Sequence, residues 1–159
     1  NSMNRVLVAY LVLGTAALLG GCATTSNPVE HSQEAAMKTE NKQQVVALLR
    51  SIETGDPAPI AAINPAKYTQ HNLGAGDGLA GFGELMKALP PGSARAKPVR
   101  AFQDGDFVFT HTEYNFFGPK IGFDLFRFED GKIVEHWDII QPVPEKTLAG
   151  GSMFDVMGK

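Results

Sequence analysis

The strongest constraint in the sequence lies near its end, where two apolar runs meet at Asp130-Gly131. Phe123-Asp124-Leu125-Phe126-Arg127-Phe128 and Ile133-Val134-Glu135-His136-Trp137-Asp138-Ile139-Ile140 are rich in aromatic and β-branched residues, and Asp-Gly is a tight-hairpin signal. Each run carries polar groups where a sheet buries apolar ones. His136 and Asp138 alternate, so they share one face. Whether Asp124 joins them depends on the loop. A three-residue loop, Glu129-Asp130-Gly131 with Gly131 left-handed, sets Phe128 against Lys132 and Asp124 against His136. A two-residue loop at Asp130-Gly131 sets Asp124 against Trp137 instead, because a one-residue slip exchanges the faces. Asp-Gly suits both. The three-residue loop is the expected register, since it gathers Asp124, His136 and Asp138 beside Phe126, Phe128, Val134 and Ile140. A mostly apolar wall with a few convergent polar groups is how small-ligand pockets are built.

Two further strand-like runs, near 94–103 and 106–115, precede this pair, punctuated by Gly105 and Gly118-Pro119. Upstream the periodicity is helical. From Glu34 onward, Val45, Val46, Leu48, Leu49 and Ile52 form one apolar stripe, which Gly55-Asp56-Pro57 ends. A short second helix runs through Ile60 and Ile63, and a third carries Leu79, Phe82, Leu85, Met86 and Leu89 up to Pro90-Pro91-Gly92. Between them, Tyr68-Thr69-Gln70-His71-Asn72 reads as a short strand or extended turn. The loop Gly74-Ala75-Gly76-Asp77-Gly78 lacks a P-loop lysine and reads as a turn. Helices first and an antiparallel meander afterwards predict an α+β domain over 34–159, its curved sheet wrapped over about three helices as a cone.

The N-terminal segment differs in kind. Arg5 is followed by the apolar run Val6–Leu13, then Ala16-Ala17-Leu18-Leu19-Gly20-Gly21-Cys22, the layout of an export signal over residues 1–21. Leu19-Gly20-Gly21-Cys22 looks like a bacterial lipobox, and a single cysteine has no internal disulfide partner. Lipidation at Cys22, a polar tether over 22–33 and a membrane-anchored place in the bacterial cell envelope are therefore expected. The net charge is −3 and basic residues form no block, which argues against nucleic acid as a partner.

The expected catalytic set is Asp124, Asp138, His136 and His71. A carboxyl in an apolar pocket is pushed upward, a second carboxylate pushes it further, and a histidine between acids is drawn toward its charged form. Groups separated in this way serve as acid and base in one site. The expected ligand-facing set is His111, Phe109, Phe126, Phe128, Trp137, Tyr68 and Asn72. His111 joins the wall if Phe107 and Phe109 face inward, and His71 lies near the mouth. Arg127 and Glu135 read as an inter-strand or surface ion pair. His71, His111 and His136 with a carboxylate form a conceivable zinc set. No two of these histidines have the close spacing of a helix-borne site, so no metal is expected.

Taken together, Tyr68-Thr69-Gln70-His71-Asn72 with Asp77-Gly78, Phe123–Phe128 and Asp130–Asp138 resemble the SnoaL-like polyketide cyclases of the nuclear-transport-factor-2-like superfamily, over roughly residues 40–145. The resemblance implies a cone-shaped fold, often a homodimer, and cofactor-free acid–base chemistry such as aldol-type cyclisation or isomerisation on a small organic molecule. It makes Asp124 similar to the protonated, oxyanion-stabilising acid of ketosteroid isomerase. It matches Asp138 to the strand acid of SnoaL-type cyclases, and puts His71 or Asn72 near the proton-shuttling base. Leu73 and Gln141 depart from the pattern, standing where relatives often have a proline and an acid. An enzyme of this type and a ligand-binding or accessory envelope lipoprotein are the two functions compatible with the sequence.

Overall fold

A computed structural model describes residues 28–90 and 92–154 of the chain. The expected signal segment, Cys22 and the first part of the expected tether lie outside the described residues. The elements in order are α1 (Pro28–Thr54), a 3-10 helix (Ala58–Ala62), β1 (Thr69–Gln70), α2 (Gly78–Ala88), β2 (Arg95–Asp104), β3 (Phe107–Asn115), β4 (Pro119–Glu129) and β5 (Lys132–Pro142). The expected α+β architecture is present as two α-helices and one curved, unclosed sheet. Three expectations need correction. α1 starts at Pro28, so residues 28–33 are helical where a tether was read. The middle helix is a single 3-10 segment. β1 pairs in parallel with β5, which makes the five-stranded sheet mixed, in the order β1-β5-β4-β3-β2.

Local chemistry sets the joints. Gly55 has φ +70° and donates its N–H to Ser51 O at 2.8 Å, closing α1 with a left-handed cap. Asp56 then takes the N–H of Ala58 at 2.9 Å, starting the next turn. At the β4–β5 hairpin, Asp130 (φ 50°) and Gly131 (φ 72°) are both left-handed, as a two-residue type I′ turn requires. Glu129 opposes Lys132 and Phe128 opposes Ile133, but Arg127 then opposes Glu135. Val134 is thus the extra residue of a β-bulge. Beyond it Phe126 faces His136 and Asp124 faces Asp138.

This register is neither of the two read from the sequence. The tight turn alone leaves Asp124 against Trp137, and the bulge adds the one residue that restores the face. Asp124, His136 and Asp138 therefore do share the inner side, with Asp124 paired to Asp138 rather than to His136.

That inner side packs on α1 and α2. Val45, Leu48 and Leu49 of α1 and Phe82 of α2 form one core with Ile63, Val108, Phe126, Phe128 and Ile133. Burying each such side chain is worth roughly 1.5–3 kcal/mol relative to exposure. On β3 the inward residues are Val108, Thr110, Thr112 and Tyr114, all buried, whereas Phe107 and Phe109 are partly exposed on the other side. The ring of Tyr114 crosses the place where a Cβ on Gly122 would stand, 2.3 Å from Tyr114 Cε2. Gly122→Ala is accordingly expected to lower stability by about 1–3 kcal/mol through overpacking, read as a lower urea midpoint. Unchanged stability would contradict this placement of Tyr114.

Candidate active site

A cavity of about 190 Å³ lies between the helices and the inner face of the sheet. That is somewhat larger than the ~150 Å³ apolar cavity that admits a benzene ring, so it suits a small organic guest. Leu49 and Ile52 of α1, Leu85 and Met86 of α2, and Phe116 and Ile140 make its walls apolar. Asp124, His136, Asp138, Tyr68, Gln70 and Asn72 supply its polar side.

Asp124 is only 1% exposed and accepts hydrogen bonds from a ladder of β3 hydroxyls. Thr110 Oγ1 donates to its Oδ2 at 2.9 Å, Thr112 Oγ1 to the same oxygen at 3.1 Å, and Tyr114 OH to its Oδ1 at 2.9 Å. Burial first, and then the charge of Asp124, hold the Tyr114 hydroxyl well above its ordinary range, so it remains a donor. His136 Nε2 stands 3.5 Å from Asp124 Oδ1 with no hydrogen-bond partner, while its Nδ1 meets Gln70 Oε1 at 2.9 Å. Phe126 stacks on the imidazole, ring centres 4.4 Å apart, and keeps it in place from below.

Asp138 is half-buried and receives a hydrogen bond from Asn72 Nδ2. Burial raises its carboxyl above the ordinary value, Asn72 and His136 oppose that shift, and the charge of Asp124 adds to it. Tyr68 is raised too, by burial and then by Asp138. Its hydroxyl oxygen accepts from Gln70 Nε2 at 3.1 Å.

Of the residues expected at the site, Asp124, His136, Asp138, Tyr68, Asn72 and Phe126 line the cavity. Phe128 faces the same side but is buried in the core beside it. His71, Trp137, His111 and Phe109 do not reach the cavity. His71 stacks on Trp137 at 4.8 Å and contacts Glu135 at 2.9 Å, on the outer side of β5. Glu135 in turn accepts from Arg127 Nε at 2.8 Å, the inter-strand pair expected from sequence. His111 is buried, but between Phe123 and Phe154 on the outer side of β3, with Arg100 Nη1 at 2.6 Å from its Nδ1. Phe109 stacks on Phe123 there. The reason is parity: Val108, not Phe107 or Phe109, is the inward residue at the start of β3.

The three-histidine zinc set therefore does not assemble. Among the described residues, Asp124, His136 and Asp138 do bring one ligand atom each within 4.8 Å of the others. A divalent ion there would compete with the three hydroxyls for Asp124 and with Asn72 for Asp138. The residues not foreseen are Thr110, Thr112, Tyr114 and Gln70. The alternation Val108-x-Thr110-x-Thr112-x-Tyr114 carried the signal, a polar run on one face of a central strand.

Folded Asp138 holds its proton more tightly than it does in the unfolded chain. Its contribution to stability therefore falls as pH rises from its ordinary value of 3.8 through the folded value, and is level above that. Asp138→Asn removes this decline, so the variant is expected to gain stability relative to the original chain across that window. A stability difference independent of pH, in urea unfolding at stepped pH, would contradict the raised carboxyl.

With this geometry in place, the SnoaL-like domain family matches residues 45–136, more than half of the chain, and the chain belongs to that family. A search of curated proteins finds no match. Among solved structures, the chain is similar to TsrD from Streptomyces laurentii at 17% identity and TM-score 0.54, covering 65% of this chain and 89% of that one. It is similar to an LEH-like epoxide hydrolase of M. tuberculosis at 20% identity and TM-score 0.55, covering 65% and 84%. An NTF2-like protein from Burkholderia xenovorans aligns at 15% identity and TM-score 0.60, covering 77% and 98%. At these identities the likeness concerns the fold.

Proposed function

We propose that this member of the SnoaL-like family is an enzyme of cofactor-free acid–base chemistry on a small carbonyl compound, with Asp138 as the group that moves the proton. The observation that carries the reading is the position of Asp138. It is a half-buried carboxyl, raised above its ordinary range, at the polar side of an apolar cavity and beside two neutral hydrogen-bonding groups, Tyr68 and Asn72. A base shifted toward neutral pH is better matched to proton abstraction than an ordinary surface aspartate.

In this reading the Asp138 carboxylate takes a proton from the carbon next to a carbonyl. The C–H pair becomes an enolate whose oxygen is stabilised by hydrogen-bond donors in a site poor in water. Return of the same proton to another carbon completes an isomerisation. Attack of the enolate carbon on a second carbonyl forms a C–C bond, and the resulting alkoxide takes the proton back from Asp138, completing an aldol-type closure. Tyr68 is the donor we assign to the enolate oxygen, because the Asp124 oxygens already face Thr110, Thr112, Tyr114 and His136. Asp124 and His136 then act behind Asp138, fixing its field. That a structural neighbour is an epoxide hydrolase supports a catalytic use of this fold without naming the reaction, since one fold hosts many chemistries.

The same proposal includes the lipid anchor at Cys22 in the cell envelope and a homodimer. Support for the dimer is the outer sheet face, where Phe102 and Ile139 are 58% and 75% exposed among other apolar residues. One observation favours a second reading, that of a binding module. Asp124 is satisfied by hydroxyls as a structural polar group would be, and such a pocket can hold a guest without changing it.

The test is deuterium uptake at the carbon next to the carbonyl in a panel of neutral ketones, followed by NMR in heavy water. Catalysed exchange that falls by about 100-fold or more in Asp138→Asn, with the fold retained, is the expected result. Exchange that survives in Asp138→Asn would overturn the role of Asp138. Saturable binding of a ketone with no exchange would favour the binding module.

A further inference from the structure

One side chain in the cavity wall touches three of its polar groups, and its orientation is fixed by a group that cannot be turned around. Gln70 Oε1 accepts the backbone N–H of Asn72 at 3.0 Å. A backbone N–H is only ever a donor, so the carbonyl end of the Gln70 amide must point that way. The same oxygen meets His136 Nδ1 at 2.9 Å. Since the oxygen only accepts, Nδ1 must carry a hydrogen, and in the neutral ring Nε2 is left bare, 3.5 Å from Asp124 Oδ1. The other end of the amide, Nε2, donates to the Tyr68 hydroxyl oxygen at 3.1 Å. Tyr68 therefore receives a hydrogen from Gln70 and keeps its own to give.

We infer that Gln70 is a positioning residue that sets the direction of the hydrogen bonds made by His136 Nδ1 and by the Tyr68 hydroxyl. It fixes neutral His136 as the Nδ1–H tautomer, which leaves Nε2 bare, 3.5 Å from Asp124 Oδ1. It also makes Tyr68 a donor for an oxygen of the guest. The register provides the means. Gln70 is the β1 residue paired with His136 of β5, and its backbone N–H is itself held by Asp77 Oδ1 at 2.8 Å, so the residue is held through its backbone as well as through its amide. Neutral His136 with a hydrogen on Nε2 would present that hydrogen to Asp124 and a bare Nδ1 to a bare amide oxygen. That lone-pair contact is the closer one at 2.9 Å, whereas Nε2 lies 3.5 Å from Asp124 Oδ1, beyond a good hydrogen bond, so the amide selects the tautomer. Only the consequence for Tyr68 rests on the proposed function. The tautomer does not.

The experiment is two-dimensional ¹H–¹⁵N correlation of the His136 ring nitrogens in the whole chain, across pH, in the original sequence and in Gln70→Glu and Gln70→Leu. The expected signature at high pH is a protonated Nδ1 and a bare Nε2. Gln70→Glu keeps acceptor oxygens for Asn72 N–H and His136 Nδ1, so the signature survives. Gln70→Leu removes them, and the hydrogen moves to Nε2. A hydrogen on Nε2 of the neutral ring in the original chain would overturn the proposal, as would an unchanged tautomer in a folded Gln70→Leu. Two protonated nitrogens throughout the accessible pH range would also overturn it, because Asp124 rather than Gln70 would then govern the ring. None of these outcomes depends on turnover, so the loss of this proposal and the loss of the enzymatic reading are told apart.

Discussion

The polar side of the cavity depends on hiding the Asp124 carboxyl inside a sheet. An ionised carboxylate moved from water into a protein interior loses several kcal/mol of solvation even after relaxation, unless hydrogen bonds replace the water. The replacement here is built from neighbouring β3, where Thr110, Thr112 and Tyr114 all direct hydroxyls at it. Much of the surrounding sequence follows from that need. β3 must place polar residues on its core face. Gly122 must lack a side chain so that the Tyr114 ring can cross the sheet. β5 must bring His136 and Asp138 to the side of Asp124, which a two-residue turn cannot do without the bulge at Val134.

Once Asp124 is held, its effect is exerted on Asp138. The two face each other across β4 and β5, and like charges at cross-strand distance disfavour a second ionisation. Burial acts in the same direction and is the larger cause, while Asn72 and His136 restrain the shift. The site is therefore graded. A fully covered acid is braced by hydroxyls, a stacked imidazole lies beside it, and a half-buried acid is left open to the cavity. The apolar faces of α1 and α2 wall the cavity, and such low-dielectric surroundings strengthen each of these interactions.

Sequence pattern made the hairpin, the four meander strands, the long first helix and the α+β layout legible, because each rests on strong local periodicity or an Asp-Gly or Gly-Pro signal. The cluster of Asp124, His136 and Asp138 was legible as well, though through a register that differs from the real one. A bulge adds a residue without a compositional mark, so two turn geometries led to opposite faces and neither described the ladder. His111 and Phe109 were misplaced for a related reason. Phe107, Phe109 and Phe123 are as apolar as core residues, and only the neighbouring Val108-Thr110-Thr112-Tyr114 alternation tells which side is inward. His71 was drawn to the site by its sequence neighbours Gln70 and Asn72, which do line the cavity, while His71, just past the end of β1, turns outward onto Trp137. Gln70 itself looked like an ordinary polar residue. Its importance comes from a parallel pairing with β5, a long-range contact that no local pattern encodes.

The central claim is that Asp124 and Asp138 face each other in a cavity with largely apolar walls and that Asp124 bears on the protonation of Asp138. Carboxyl ¹³C titration of Asp138, in the original chain and in Asp124→Asn, tests it most directly. The expected result is a midpoint above the ordinary 3.8 in the original chain and a lower one when the Asp124 charge is removed. An Asp138 that titrates at its ordinary value, unmoved by Asp124→Asn, would contradict both the register and the site built on it.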